Sequence, residues 1–277
     1  MLSVNKLSSV FYHRLSLSID LHSADSLRRL DLTDFSSQIL SSDSMTAIIS
    51  RSSAPQRKQQ AIAAHPKKVI AIGDSLVYGY GDHEGGGWVE RLRLSWMNPE
   101  NPGPVFYNLG VRGDGVKQVS NRLDAEFSGR GELRHRKPDV LVLSVGVNDS
   151  AQAGRVGGRS VTDLSTFEQE MDALLTHARA LCPTFFVGMV PINEEAMPFA
   201  GILHFTRAEQ ARYRDATQRL CATHEIPYLD VFEAWSQKGD EWVCDHLSSD
   251  GLHPNALGYR TLLHAVQDWQ PFMESIQ

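Results

Sequence analysis

The 277-residue sequence has only three cysteines, Cys182, Cys221 and Cys244, odd in number and too widely spaced for a C-x-x-C pair. That excludes a disulfide scaffold and fits a reducing compartment. No apolar run approaches the ~18 residues of a membrane span, and the first residues lack the continuous hydrophobic segment of a secretory signal. A soluble protein of the cytoplasm is expected. Excess basic charge is missing too: the net charge is −6, and after residue 66 there are 20 basic against 28 acidic residues. Such a surface repels polyanions, which argues against a nucleic-acid partner. Cys244, His246 and His253 are spaced C-x-H-x6-H, which matches no common zinc pattern, so no metal or cofactor is expected.

Glycine is absent from residues 1–66, where about a quarter of the residues are serine and apolar residues rarely cluster. That composition predicts a disordered extension ending in the polar linker "SSDSMTAIISRSSAPQRKQQAIAAHP". The first nineteen residues carry Lys6, His13 and Arg14 but no acid, faintly like a transit peptide, until Asp20, Asp25, Asp31 and Asp34 break the pattern. Met45 is an alternative start. The domain itself is expected over 67–277.

What that region does contain is regular. "KKVIAIG", "VFYNLGV", "PDVLVLSVG", "TFFVGMVPI" and "PYLDVF" are continuous apolar runs, as in strands covered on both faces. Between them lie helical periods. Leu164, Phe167, Met171, Leu174, Leu175 and Leu181 recur at three and four, with Ser165 and Glu168 spaced as a capping box. Thr206 and Glu209 repeat that box, and a last helix is predicted from Pro254 through "NALGYRTLLHAVQDW". The β-α alternation predicts a parallel sheet with helices on both sides, and ligands outside the carboxyl ends of its strands.

Reactive residue types gather at those ends. Strand one runs into Gly73-Asp74-Ser75-Leu76, strand two into "NLGVRGDG" with Asn108, Gly110 and Gly113, and strand three into Asn148-Asp149. Beyond strand five lie Asp250 and His253. Each segment taken alone reads first as turn chemistry. Together they supply one reaction: Ser75 is a weak nucleophile needing a base, His253 can take its proton, and Asp250 can hold the imidazole. The Ser75 N–H, a glycine N–H at 110 or 113 and the Asn148 amide could face a developing oxyanion.

In this order the four segments resemble the sequence blocks of the GDSL, or SGNH, hydrolase family. The resemblance implies a flavodoxin-like three-layer α/β/α sandwich with a five-stranded parallel sheet, order 2-1-3-4-5. It implies serine hydrolysis of esters or thioesters, with lysophospholipids and short acyl esters among the candidates. Carried over, Ser75 is the nucleophile, Asp250 and His253 complete the triad, and Ser75, Gly113 and Asn148 form the oxyanion hole. Counted from Asn108, Gly113 fits the family glycine better than Gly110. No G-x-S-x-G elbow surrounds Ser75.

Two other readings stand beside it: an acyltransferase using the same site, and a non-catalytic phosphate- or ligand-binding module. The second draws on the glycine-rich "GDHEGGGW" at 81–88, although Asp82 and Glu84 would repel phosphate. Met197, Phe199, Ile202, Leu203 and Phe205, after strand four, could line an acyl pocket or simply cover the sheet edge. Arg155 and Arg159, in a loop on the same edge, are available for an anionic leaving group. The expected partner is a small-molecule or lipid ester.

Overall fold

Buried runs alternating with periodic segments produce the order of elements. The computed structural model describes residues 66–130 and 137–277; the expectations for the N-terminal extension and for Met45 lie outside the described residues. The chain runs β1 (Lys68–Gly73), α1 (Ser75–Tyr78), α2 (Gly87–Ser95), β2 (Val105–Gly110), α3 (Val116–Gly129), β3 (Val140–Ser144), β4 (Gln152–Ala153), α4 (Leu164–Leu181) and β5 (Thr184–Val187). It continues through β6 (Leu203–His204), α5 (Arg207–Thr223), β7 (Tyr228–Leu229), α6 (Val231–Ser236), α7 (Asp240–His246), α8 (Ala256–Gln267) and α9 (Gln270–Ser275).

Five strands form a parallel sheet in the order β2-β1-β3-β5-β7, which is the expected 2-1-3-4-5 with the two short strands β4 and β6 set aside. Every side chain of β1 and β3 is buried, and because alternate side chains point to opposite faces, both faces must be covered. Helix α2 packs on α8, while α3 packs on α4 and α4 on α5. These are the two outer layers. The winding reverses at β1, whose neighbours are β2 on one side and β3 on the other, and that reversal opens a crevice at the carboxyl ends. Among the described residues no helix is long and apolar enough to cross a membrane.

Three local expectations are corrected. Helix α4 is capped by Asp163, whose carboxylate accepts from the Thr166 N–H at 3.0 Å, and Ser165 donates its hydroxyl to that same carboxylate instead of capping. The hydroxyl of Ser165 and the N–H of Thr166 hold the Asp163 carboxyl down at about 2. Helix α8 starts at Ala256, because Asn255 caps it through the Gly258 N–H while Pro254 bridges to Leu247. The loop carrying Arg155 and Arg159 and the segment from Met197 to Phe205 are not independent: an antiparallel pairing of β4 with β6 joins them, Gln152 opposite His204 and Ala153 opposite Leu203. Two-residue strands are too short to leave a period in the sequence.

Candidate active site

The site begins where β1 ends. A Cβ at Gly73 would stand 1.9 Å from the Ser144 carbonyl oxygen of β3, so glycine is what lets the strands lie side by side at their exit. Asp74 then caps α1, its carboxylate accepting from the Leu76 N–H at 2.8 Å. That places Ser75 at the first helical position, where its N–H has no partner inside the helix.

The opposite wall is a turn before α8. One oxygen of Asp250 accepts from the N–H groups of Leu252 and His253, at 2.9 and 3.0 Å, and from the Ser248 hydroxyl at 2.9 Å. The other lies 2.7 Å from His253 Nδ1, and His253 Nε2 lies 2.8 Å from Ser75 Oγ. Burial alone would raise the Asp250 carboxyl; the His253 ring and the backbone N–H groups of His253 and Leu252 outweigh it and hold the group well below the carboxylate range. An ionised carboxylate only accepts, so Nδ1 carries the proton and Nε2 turns its lone pair toward the Ser75 O–H. The imidazole is buried, its ring bordered by Tyr80 at 4.7 Å and Phe199 at 5.7 Å between centroids.

The glycine loop after β2 and the turn after β3 close the third side. The Gly110 N–H is engaged by the Asn108 side chain at 3.0 Å. Gly113 sits at a φ of +84°, an added Cβ there would meet nothing within 4 Å, and among the described residues its N–H has no partner. Asn148 donates one amide hydrogen to the Asp114 carbonyl at 2.9 Å, which orients the side chain and leaves a second N–H free. Asp149 reaches back to α3, accepting from the Val116 N–H at 3.1 Å and from the Thr162 hydroxyl at 2.8 Å; burial pushes its carboxyl up to about 6.

Ser75, His253 and Asp250 are thus brought into one hydrogen-bonded line, with Gly113 and Asn148 offering unused donors from neighbouring loops. Other predicted features lie elsewhere. His246 bonds to the Trp242 carbonyl and stacks on its ring at 3.6 Å, while Cys244 is exposed. No group of three ligand-type residues among the described residues is placed to hold a metal ion. The glycine-rich loop 81–88 is closed by Asp82, which takes the N–H groups of Glu84, Gly85 and Gly87 and pairs with Arg91 at 2.7 Å. The protein's own carboxylate already uses the donors a phosphate would need. Of the hydrophobic segment after β5, Phe205 is buried in the core, Met197, Phe199 and Leu203 pack against it, and Ile202 is exposed.

Two further residues, Tyr259 and Arg122, tie the site together from positions that no motif marks. The Tyr259 hydroxyl lies 3.3 Å from the Ser75 carbonyl and 3.0 Å from that of Tyr80, tying α8 to the turn that carries Ser75. Arg122 donates to the Gly73 carbonyl and to Asp114, each at 2.8 Å, joining the exit of β1 to the glycine loop. Neither residue stands in a motif; each is one position of a helical period.

Asp74 has an unusual balance. Its second carboxyl oxygen has no partner among the described residues, and burial pushes the group up to about 7, with the Leu76 N–H opposing and Asp149 and Asp114 assisting. A folded-state value above the ordinary 3.8 means the folded chain holds a proton that the unfolded chain has lost between about pH 4 and 7. Stability contributed by this group is therefore present at low pH and declines as pH rises through that window. Denaturant midpoints should show Asp74→Asn gaining on the unsubstituted chain from pH 4 to pH 8, by at most about 4 kcal/mol. A difference independent of pH would mean that Asp74 is ionised in the fold.

The sheet has the order β2-β1-β3-β5-β7, and a serine, a histidine and a carboxylate are aligned at its carboxyl edge. Residues 71–261 match the model of the GDSL-like lipase/acylhydrolase family, and the chain belongs to that family. A human protein, platelet-activating factor acetylhydrolase IB subunit alpha1, is 23% identical over 199 residues, spanning 72% of this chain and 73% of its own. Among solved structures, a lipase/acylhydrolase from Enterococcus faecalis superposes with a TM-score of 0.55 at 20% identity, covering 72% of this chain and 93% of that one. Esterase EstA from Pseudoalteromonas, in a form inhibited by monoethylphosphonate, superposes with a TM-score of 0.53 at 17% identity, covering 75% and 98%. At these identities the structural likeness is one of fold.

Proposed function

We propose that the protein hydrolyses carboxylic esters through an acyl-serine intermediate. The observation that carries this reading is the unbroken line from Ser75 Oγ through His253 to Asp250, at 2.8 and 2.7 Å. Ser75 Oγ attacks the ester carbonyl and passes its proton to His253 Nε2. The imidazolium that forms is stabilised by Asp250, whose carboxylate stays ionised. Negative charge on the carbonyl oxygen is met by the N–H groups of Ser75 and Gly113 and the free amide hydrogen of Asn148. The tetrahedral intermediate expels the alcohol, which takes the proton from His253. Water activated by the same imidazole then releases the acid.

Asn148 provides the test that separates chemistry from binding. Its amide is oriented by the Asp114 carbonyl, so Asn148→Ala removes one oxyanion donor without touching the Ser75–His253 pair. On a short-chain 4-nitrophenyl ester the variant should lose about 3 kcal/mol of transition-state stabilisation, read as a 100-fold or larger fall in kcat with KM little changed. A loss confined to KM would assign Asn148 to substrate binding alone.

A further inference from the structure

Arg112 stands beside Gly113 on the exposed side of the glycine loop, and its guanidinium carbon lies 3.6 Å from the centroid of the Tyr80 ring. That ring is itself fixed. The Tyr80 N–H donates to the Ser75 carbonyl at 3.1 Å, its carbonyl accepts from Tyr259, and its edge meets the His253 imidazole. The arginine is therefore parked one ring away from the candidate base and one residue away from a candidate oxyanion donor.

Among the described residues Arg112 makes no hydrogen bond and no ion pair, and the same holds for the side chains of Arg155 and Arg159. Every other described arginine pairs with a carboxylate. In a chain of net charge −6, carboxylates are plentiful, yet among the described residues none is spent on these three arginines of the loops at the sheet's carboxyl edge. A guanidinium stacked on an aromatic face keeps its charge and presents its N–H fork edgewise, the geometry that suits planar or tetrahedral oxyanions.

We propose that Arg112 binds an anionic group, carboxylate or phosphate, on the ester substrate. The assignment rests on the ester-hydrolase reading of Ser75 and adds a substrate class to it: esters bearing negative charge close to the scissile bond. Stacking on Tyr80 holds the side chain in place before substrate arrives, so less conformational freedom is lost on binding.

The test compares matched pairs of esters. On the acyl side, mono-4-nitrophenyl adipate is set against 4-nitrophenyl hexanoate. On the alcohol side, 4-acetoxybenzoate and 4-acetoxyphenyl phosphate are set against methyl 4-acetoxybenzoate. At least one anionic ester should show a kcat/KM ratio to its neutral partner that falls about tenfold in Arg112→Gln, mainly through KM, and that Arg112→Lys partly restores. Added salt should shrink the same ratio in the unsubstituted enzyme. The pair that responds identifies which half of the ester carries the charge and whether it is carboxylate or phosphate. Ratios unmoved by Arg112→Gln for all three anionic esters, with Ser75→Ala still abolishing their turnover, would overturn the role of Arg112 and leave the ester-hydrolase reading standing. Turnover that survives Ser75→Ala would overturn both.

Discussion

Replacing Ser75 by alanine is expected to lower kcat on a 4-nitrophenyl ester by about 10⁵-fold while the protein stays folded. The loss is large because the remaining groups have nothing to act through: His253 keeps its lone pair and Asp250 its charge, but no oxygen is left to attack. The fold survives because, among the described residues, the Ser75 hydroxyl meets only His253 Nε2, and alanine is at home in the first turn of α1. The melting temperature should fall by only about 2–4 °C, since the change removes one hydrogen bond worth about 1 kcal/mol. An organophosphonate probe should label the unsubstituted enzyme once and the variant not at all. Undiminished turnover in the variant would return Gly73-Asp74-Ser75 to the status of a strand-ending turn.

Asp250→Asn should cost nearly as much, about 10⁴-fold in kcat, for a different reason. The oxygen that accepts from Leu252, His253 and Ser248 must remain an acceptor, so the asparagine oxygen is held there and its NH2 faces His253 Nδ1. Two donors cannot share one bond. The imidazole must then accept at Nδ1 and carry its proton at Nε2, where it points at Ser75 and can no longer receive a proton. The turn keeps its three contacts to one oxygen, so unfolding midpoints should change little while activity collapses. Asp250→Ala, which also removes those three contacts, should lose stability as well as rate. Equal kcat in Asp250→Asn and the unsubstituted enzyme would mean that orientation of His253 comes from Tyr80 and Phe199 instead.

The sheet was legible because its central strands β1, β3 and β5 are buried on both faces. A run such as Val69-Ile70-Ala71-Ile72, with no polar interruption, has few other places to go in a chain of this size. The residues of the candidate site were legible for a related reason: the fold presents strand ends to one edge, so Ser75, Asn148 and the Asp250–His253 turn could be gathered from positions far apart in sequence. What stayed hidden was held by contacts without a local pattern. Arg122 and Tyr259 act through backbone carbonyls of distant loops, and nothing in the spacing of α3 or α8 marks those positions. The cap of α4 went to Asp163 over the serine two residues later because a carboxylate is the stronger acceptor and both N–H and O–H donors of Thr166 could reach it. The β4–β6 pairing joins two segments about fifty residues apart through only two pairs of residues.

The link from α8 to the Ser75 turn bears on when, during synthesis, the protein becomes an enzyme. The bond between Ser75 and His253 spans 178 residues and that between Ser75 and Tyr259 spans 184. A ribosome will have released strands β1, β2, β3 and β5 well before it releases the segment that brings both partners. Contacts of such long sequence separation form late. The nascent chain can therefore assemble its strands β1, β2, β3 and β5 with the serine in place but neither armed nor tied down. On the proposed ester-hydrolase reading, reactivity would be switched on by the final stretch, and an unfinished chain would carry an unactivated alcohol at Ser75.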